Sequence, residues 1–146
     1  MKKLALLLLA ACASLLLHAQ GYDPDKVNKK AVALYNKGIG IAESGHYREA
    51  IAEMDQAIAA DRNFVDAYLS KAGLHGELKE YRSSIEAYRK AFSMDSAYTH
   101  DYRLPYAINL AGDGDFRGAL DAVEIFIKDT TLNPKSIQAA DYRKNT

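Results

Sequence analysis

The chain has 146 residues, with 19 basic and 19 acidic side chains, a formal net charge of zero and a single cysteine. That balance gives no electrostatic reason to expect nucleic acid or anionic lipid as a partner, and one cysteine cannot form an internal disulfide or a cysteine metal cluster. The length suits one domain whose helices share a core.

The chain opens with Lys2 and Lys3, followed by an apolar run from Leu4 to Leu17 broken only by Ser14. His18-Ala19-Gln20 then gives way to the polar Gly21-Tyr22-Asp23-Pro24. A charged start, an apolar stretch and a small residue near a polar boundary make a secretory signal peptide over residues 1–20, with cleavage after Gln20. The run is shorter than the ~20 residues a membrane-spanning helix needs. Leu9-Ala10-Ala11-Cys12 also resembles a bacterial lipobox, which would make Cys12 a lipid anchor. Against that, Ser14-Leu15-Leu16-Leu17 stays apolar where a polar tether is expected. The chain is therefore expected to be exported, to the periplasm or the outer-membrane periphery, with a lipoprotein as the alternative. Removing residues 1–20 leaves no cysteine and 17 basic against 19 acidic residues.

From Asp23-Pro24 onward the periodicity is helical. Aspartate followed by proline is an N-cap and first-turn signal, so the first helix is expected over 24–43. Val32, Tyr35, Ile39 and Ala42 recur at helical spacing there, and Ala50, Ile51, Met54, Ala57 and Ile58 do so over 47–60. Gly45 lies between the two, where a turn needs a residue tolerant of positive φ. Further helices are predicted over 65–78, 81–94, 101–112 and 116–129, and Asn133-Pro134 opens a last one over 134–144. Pro105 removes a backbone donor inside the fifth helix, which predicts a bend or a late start.

A shift of 34 residues superposes the chain on itself. Gly38 meets Ala72, Tyr47 meets Tyr81, Ile51 meets Ile85, Ala57 meets Ala91 and Asp61 meets Asp95. In a third unit Gly114-Asp115-Phe116 stands where Gly45-His46-Tyr47 stood, one residue late. These small and aromatic positions resemble the tetratricopeptide repeat. The units fall at about 31–64, 65–98 and 100–132 within a domain of residues 21–146. Phe126 replaces the third small residue of the last unit, and the proline usual after the second helix is absent, with Arg62, Ser96 and Thr131 in its place. The resemblance implies an all-α, right-handed solenoid of three helix-turn-helix units plus a C-terminal capping helix. The small residues let paired helices approach to ~8–10 Å between axes.

No catalytic, cofactor or metal site is expected. His46, His75 and His100 belong to different units, and Asp113-Gly114-Asp115 lacks the further ligands of a calcium loop. Tyrosine precedes arginine at 47–48, 81–82, 88–89, 102–103 and 142–143, a pattern that can stack on bases. Tyr47 and Tyr81 are instead expected to pack within the repeat, their arginines being solvated neighbours.

The resemblance implies that the first helices line a concave groove that takes an extended protein or peptide partner. It places Tyr35, Asn36, Ile39 and Glu43 of unit one, Asp66, Leu69, Ser70 and Glu77 of unit two, and Leu104 and Ile108 of unit three on that face. The set lacks the lysines and arginines that some members use to clamp a peptide carboxylate. The function implied is a non-catalytic interaction scaffold of the bacterial cell envelope. The alternative is a structural N-terminal module, similar to the repeats that precede a β-propeller and an OmpA-like peptidoglycan-binding domain in larger outer-membrane proteins.

Overall fold

The computed structural model describes residues 21–132. The expected signal peptide, Cys12 and the helix over 134–144 lie outside those residues.

Six α-helices follow one another: α1 Lys29–Glu43, α2 Tyr47–Ala60, α3 Val65–Glu77, α4 Tyr81–Met94, α5 Arg103–Gly112 and α6 Phe116–Leu132. Short 3-10 turns occupy Pro24–Lys26 and His100–Tyr102. Helices pack in chain order, most closely within the hairpins α1–α2, α3–α4 and α5–α6 and then between successive hairpins. The described residues are all-helical and form a solenoid of three hairpins, as the repeats imply.

The small positions set the helix spacing. Ala31, Ala50, Ala57, Ala72, Ser84 and Ala91 are fully buried. A Cβ on Gly38 would lie 2.7 Å from Met54 Cε and 3.0 Å from Glu53 Cβ, inside the van der Waals limit. Ser84 adds a hydrogen bond, donating from Oγ to the Ala72 carbonyl at 2.7 Å across the second hairpin.

All three hairpin turns have one geometry. The amides of His46, Glu80 and Asp115 reach back to the carbonyls of Ile41, His75 and Leu110, and those of Gly45, Lys79 and Gly114 to Ala42, Gly76 and Ala111. This pair of bonds is the Schellman closure, which needs a left-handed residue just past the helix end. Gly45 and Gly114 supply it at φ 81° and 90°. In the second unit Lys79 occupies the place at φ 57°, although its Cβ disfavours that conformation.

Three boundaries differ from expectation or sharpen it. The helix expected over 24–43 is two pieces. Asp23 caps only the 3-10 turn, Val27 is extended, and α1 starts at Lys29 behind Asn28. Asn28 accepts the Lys30 amide on its side chain at 2.8 Å and gives its own amide to Asp61 at 3.0 Å. Tertiary and capping bonds together outweigh the proline start signal. Pro105 is met by a late start: α5 begins at Arg103, so Pro105 falls in the first turn, where amides have no intrahelical acceptor. The large Phe126 at a small position stacks on the His100 ring, centroids 4.9 Å apart, in the 3-10 turn that replaces the missing start of α5. Helix α6 ends at Leu132, three residues beyond the expected 129.

Two substitutions test this packing. Ala57→Leu should lower stability by about 1–3 kcal/mol through overpacking, measured by urea unfolding; a neutral result would contradict the close crossing. Lys79→Gly should raise stability by about 0.5–1 kcal/mol, the relief of left-handed strain less glycine's unfolded-state entropy, and thermal melting shows whether the midpoint rises.

Candidate interaction surface

The first helices of the hairpins stand side by side, and two polar links show which faces meet. Tyr35 on α1 and Ser70 on α3 share a hydrogen bond of 3.1 Å between their hydroxyls. The Tyr35 ring also lies 5.0 Å from that of Phe64, which ties the first unit to the loop before α3. Asp66 on α3 accepts the Tyr98 hydroxyl on one carboxylate oxygen and the Tyr22 hydroxyl on the other, each at 2.7 Å.

Of the residues expected on this face, Tyr35, Asp66 and Ser70 are brought together. Asn36, Glu43 and Glu77 are exposed, Leu104 and Ile108 are exposed on α5, and Ile39 is half-buried against the first core cluster. Ile108 stands out at 71% exposure. Leu69 does not belong to the surface. It is 2% exposed and buried in the second core cluster with Val65, Ala72, Ile85 and Tyr88. Its spacing from Val65 and Ala72 places it on the inward stripe of α3.

Tyr22 and Tyr98 are absent from the sequence-based set. Tyr22 adjoins the expected cleavage boundary and Tyr98 lies in a linker, so neither falls on a helical stripe. The available signal was Asp61 matching Asp95. Each caps the end of a second helix, and one oxygen holds its own loop: Asp61 accepts the Asn63 amide, and Asp95 accepts those of Ala97 and Tyr98. The other oxygen takes an amide from the N-terminal segment, Asn28 for Asp61 and Tyr22 for Asp95.

These contacts fix protonation. The amides of Tyr98 and Tyr22 hold the Asp95 carboxyl below the usual carboxylate range. Burial, followed by the bond to Asp66, pushes the Tyr22 and Tyr98 phenols above the ordinary tyrosine value. Both phenols therefore remain donors at neutral pH. Burial, with a smaller contribution from Tyr102 beside it, raises Tyr88, deep in the second core, to about 12.

Within the described residues the arginines of the tyrosine–arginine pairs join units, while the pair at 142–143 lies outside those residues. Arg48 reaches Glu80 of the next hairpin turn at 2.8 Å, and Arg82 reaches Asp113 one unit later at 3.2 Å. Arg89 donates to the Tyr106 hydroxyl at 3.0 Å, and the Arg103 guanidinium lies 4.2 Å from the Phe92 ring centre. Arg48 and Arg82 stay largely in solvent, as expected, yet each carries a link between neighbours. Glu80 also accepts from His75 Nδ1 at 2.7 Å, and the bonds from His75 and then Arg48 keep its carboxyl below the usual range. Among the described residues no three histidine, cysteine, aspartate or glutamate side chains gather as a metal site. No described helix is long and apolar enough to cross a membrane.

Residues 65–98, the second hairpin, match the tetratricopeptide repeat family. The fold is shared with MamA (TM-score 0.66, 22% identity, 72% of this chain and 57% of that one). It is shared with the second TPR of Spaghetti (RPAP3) bound to the HSP90 peptide SRMEEVD (TM-score 0.64, 19% identity, 68% and 91%). It is also shared with the Yersinia enterocolitica secretion chaperone SycD in complex with a peptide of the translocator YopD (TM-score 0.67, 15% identity, 82% and 92%). A curated relative, human DnaJ homolog subfamily C member 7, is 24% identical over 89 residues, or 61% of this chain. The chain spans 18% of that relative's length.

The lowered Asp95 carboxyl gives a pH dependence. Its stabilisation is complete above the ordinary aspartate value of about 4 and is lost as pH falls through the lower folded-state value. An NMR titration should place the Asp95 midpoint below that of an unfolded-chain aspartate, with Tyr22 amide protection falling over the same interval. A midpoint at or above the ordinary value would refute the assignment.

Proposed function

We propose that this chain is a non-catalytic scaffold that holds an extended segment of a partner protein along the face formed by α1, α3 and α5. The observation that carries this reading is that face itself, with the linked Tyr35 and Ser70 at one end and the exposed Leu104 and Ile108 at the other. Support comes from two fold neighbours that hold peptides, an HSP90 peptide in one and a translocator peptide in the other. The present surface differs from a carboxylate clamp, since its expected positions carry Glu43, Asp66 and Glu77 and no lysine or arginine. A neutral or basic partner segment fits better than an acidic one, because like charges across an interface are costly. We place the protein in the bacterial envelope on the strength of the Lys2-to-Leu17 leader pattern.

A second reading, a structural module of a larger envelope protein, has its own observation. Phe116, Leu120 and Ile127 on α6 are 72%, 59% and 54% exposed. With Val123 they occupy the repeat positions of Tyr47, Ile51, Met54 and Ile58, and of Tyr81, Ile85, Tyr88 and Phe92, all of which are buried or half-buried. A stripe of this kind is the face on which a solenoid adds its next element.

Affinity capture from envelope extract compares the two. A Tyr35→Ala/Ile108→Asp variant should lose the partner recovered by the wild-type protein, while Leu120→Asp should retain it. Equal recovery by the wild type and the first variant would remove the groove reading, and loss confined to Leu120→Asp would favour the structural one. Leu69 is unsuited to such a test, since truncating a buried leucine costs about 2–5 kcal/mol.

A further inference from the structure

The N-terminal arm ahead of α1 is held by polar contacts at its two ends, with Val27 half-buried against the first core cluster between them. At one end the Asn28 amide bonds Asp61 at the start of α1. At the other, Tyr22 makes three directed contacts: its amide to Asp95 Oδ2 at 2.7 Å, its hydroxyl to Asp66 Oδ2 at 2.7 Å, and its ring edge-on to Tyr98 at 4.7 Å between centroids. The ring also packs against both core clusters, at the junction of units one and two. Between these anchors the turn Pro24–Lys26 buries no residue. A pocket of about 380 Å³ lies beside the arm, lined by Tyr22, Lys26, Val27, Asp61, Val65 and Met94. The arm is thus seated by directed polar contacts at Tyr22 and Asn28 and by Val27, beside a partly filled space, and Tyr22 supplies most of its directed contacts.

The seat has a definite chemistry. Two carboxylates, Asp66 and Asp95, each present an oxygen to a donor from the arm, and no basic side chain pairs with either among the described contacts. A tyrosine supplies both donors, backbone N–H and phenol O–H, together with a ring edge for Tyr98. Asp66 also belongs to the face proposed to hold a partner.

We propose that the Asp66–Asp95–Tyr98 seat is a docking site for a tyrosine in an extended partner segment, and that the chain's own Tyr22 occupies it as an intramolecular ligand which the partner displaces. The proposal rests on the groove reading and adds to it the recognised residue and the competitor. A phosphotyrosine is excluded by the two carboxylates, which would face a doubly charged group.

The test uses the full chain carrying Tyr22→Pro, which removes both the phenol and the amide donor. The probe is a synthetic peptide of residues 21–27, Gly-Tyr-Asp-Pro-Asp-Lys-Val, followed by calorimetry and by NMR shifts at Asp66, Asp95 and Tyr98. The variant should bind the peptide saturably, roughly tenfold or more tighter than the wild type, whose seat is filled. A peptide with alanine in place of tyrosine should lose most of that binding, as expected when a central aromatic anchor is removed, and the phosphorylated peptide should lose it too. Equal affinity of variant and wild type, or no binding to a variant folded by circular dichroism, would overturn the proposal. Hydrogen exchange on the wild type provides a second measurement that needs no variant. The Tyr22 amide should open more readily than the amides of α3, and protection equal to theirs would make the arm a fixed part of the core and also overturn the idea. Tyr22→Pro leaves Tyr35 and Ile108 intact, so a negative result here stands apart from the outcome of the capture experiment.

Discussion

Helix pairs in this chain approach each other through positions that carry almost no side chain, and the remaining architecture follows from that closeness. Gly38 has no room for a methyl group against Met54 and Glu53, and Ala50, Ala57, Ala72, Ser84 and Ala91 are fully enclosed. Contacts this small bury little apolar area by themselves. The larger apolar side chains therefore lie between hairpins. One core cluster runs from Ala31 and Met54 through Phe64 into Ala67 and Leu74 of the second unit, and the other from Val65 and Leu69 to Tyr106, Leu110 and Ala122 of the third. No hairpin owns a complete core, so each depends on its neighbour, as in solenoids generally.

Polar groups then fix how the hairpins sit. At the turn ends, Arg48 and Arg82 each reach the acidic turn of the following unit. At the opposite ends, Asp61 and Asp95 each hold a loop with one oxygen and the N-terminal arm with the other. Exposed ion pairs of the first kind add only about 0–1 kcal/mol each. Their role is alignment more than stability, and it gives the arginines of the 47–48 and 81–82 pairs a structural task.

Periodicity at 34 residues made most of this fold legible. The six described helices, the positive φ at Gly45 and the late start forced by Pro105 follow from local patterns of apolar spacing, turn chemistry and missing donors. What escaped depends on contacts between distant residues. The break at Asn28 comes from an aspartate 33 positions away. Leu69 shares the repeat position of the half-buried Tyr35 and is enclosed in the cluster that reaches Tyr106 and Leu110 of the next hairpin, a neighbourhood that repeat numbering does not show. Tyr22 lies outside any repeat, and its role shows only in its contacts with the distant Asp66, Asp95 and Tyr98.

The bare apolar stripe on α6 makes local stability uneven along the described stack. In a one-dimensional stack each unit is steadied by the surfaces laid against it, and exposed backbone with few apolar neighbours opens at low free energy. The first two units share a sealed boundary, stitched further by the arm, whereas the third shows Phe116, Leu120 and Ile127 to water. Among the described helices α6 therefore has the thinnest apolar cover, and its outer face is expected to open at lower free energy than the paired faces of α1 to α4.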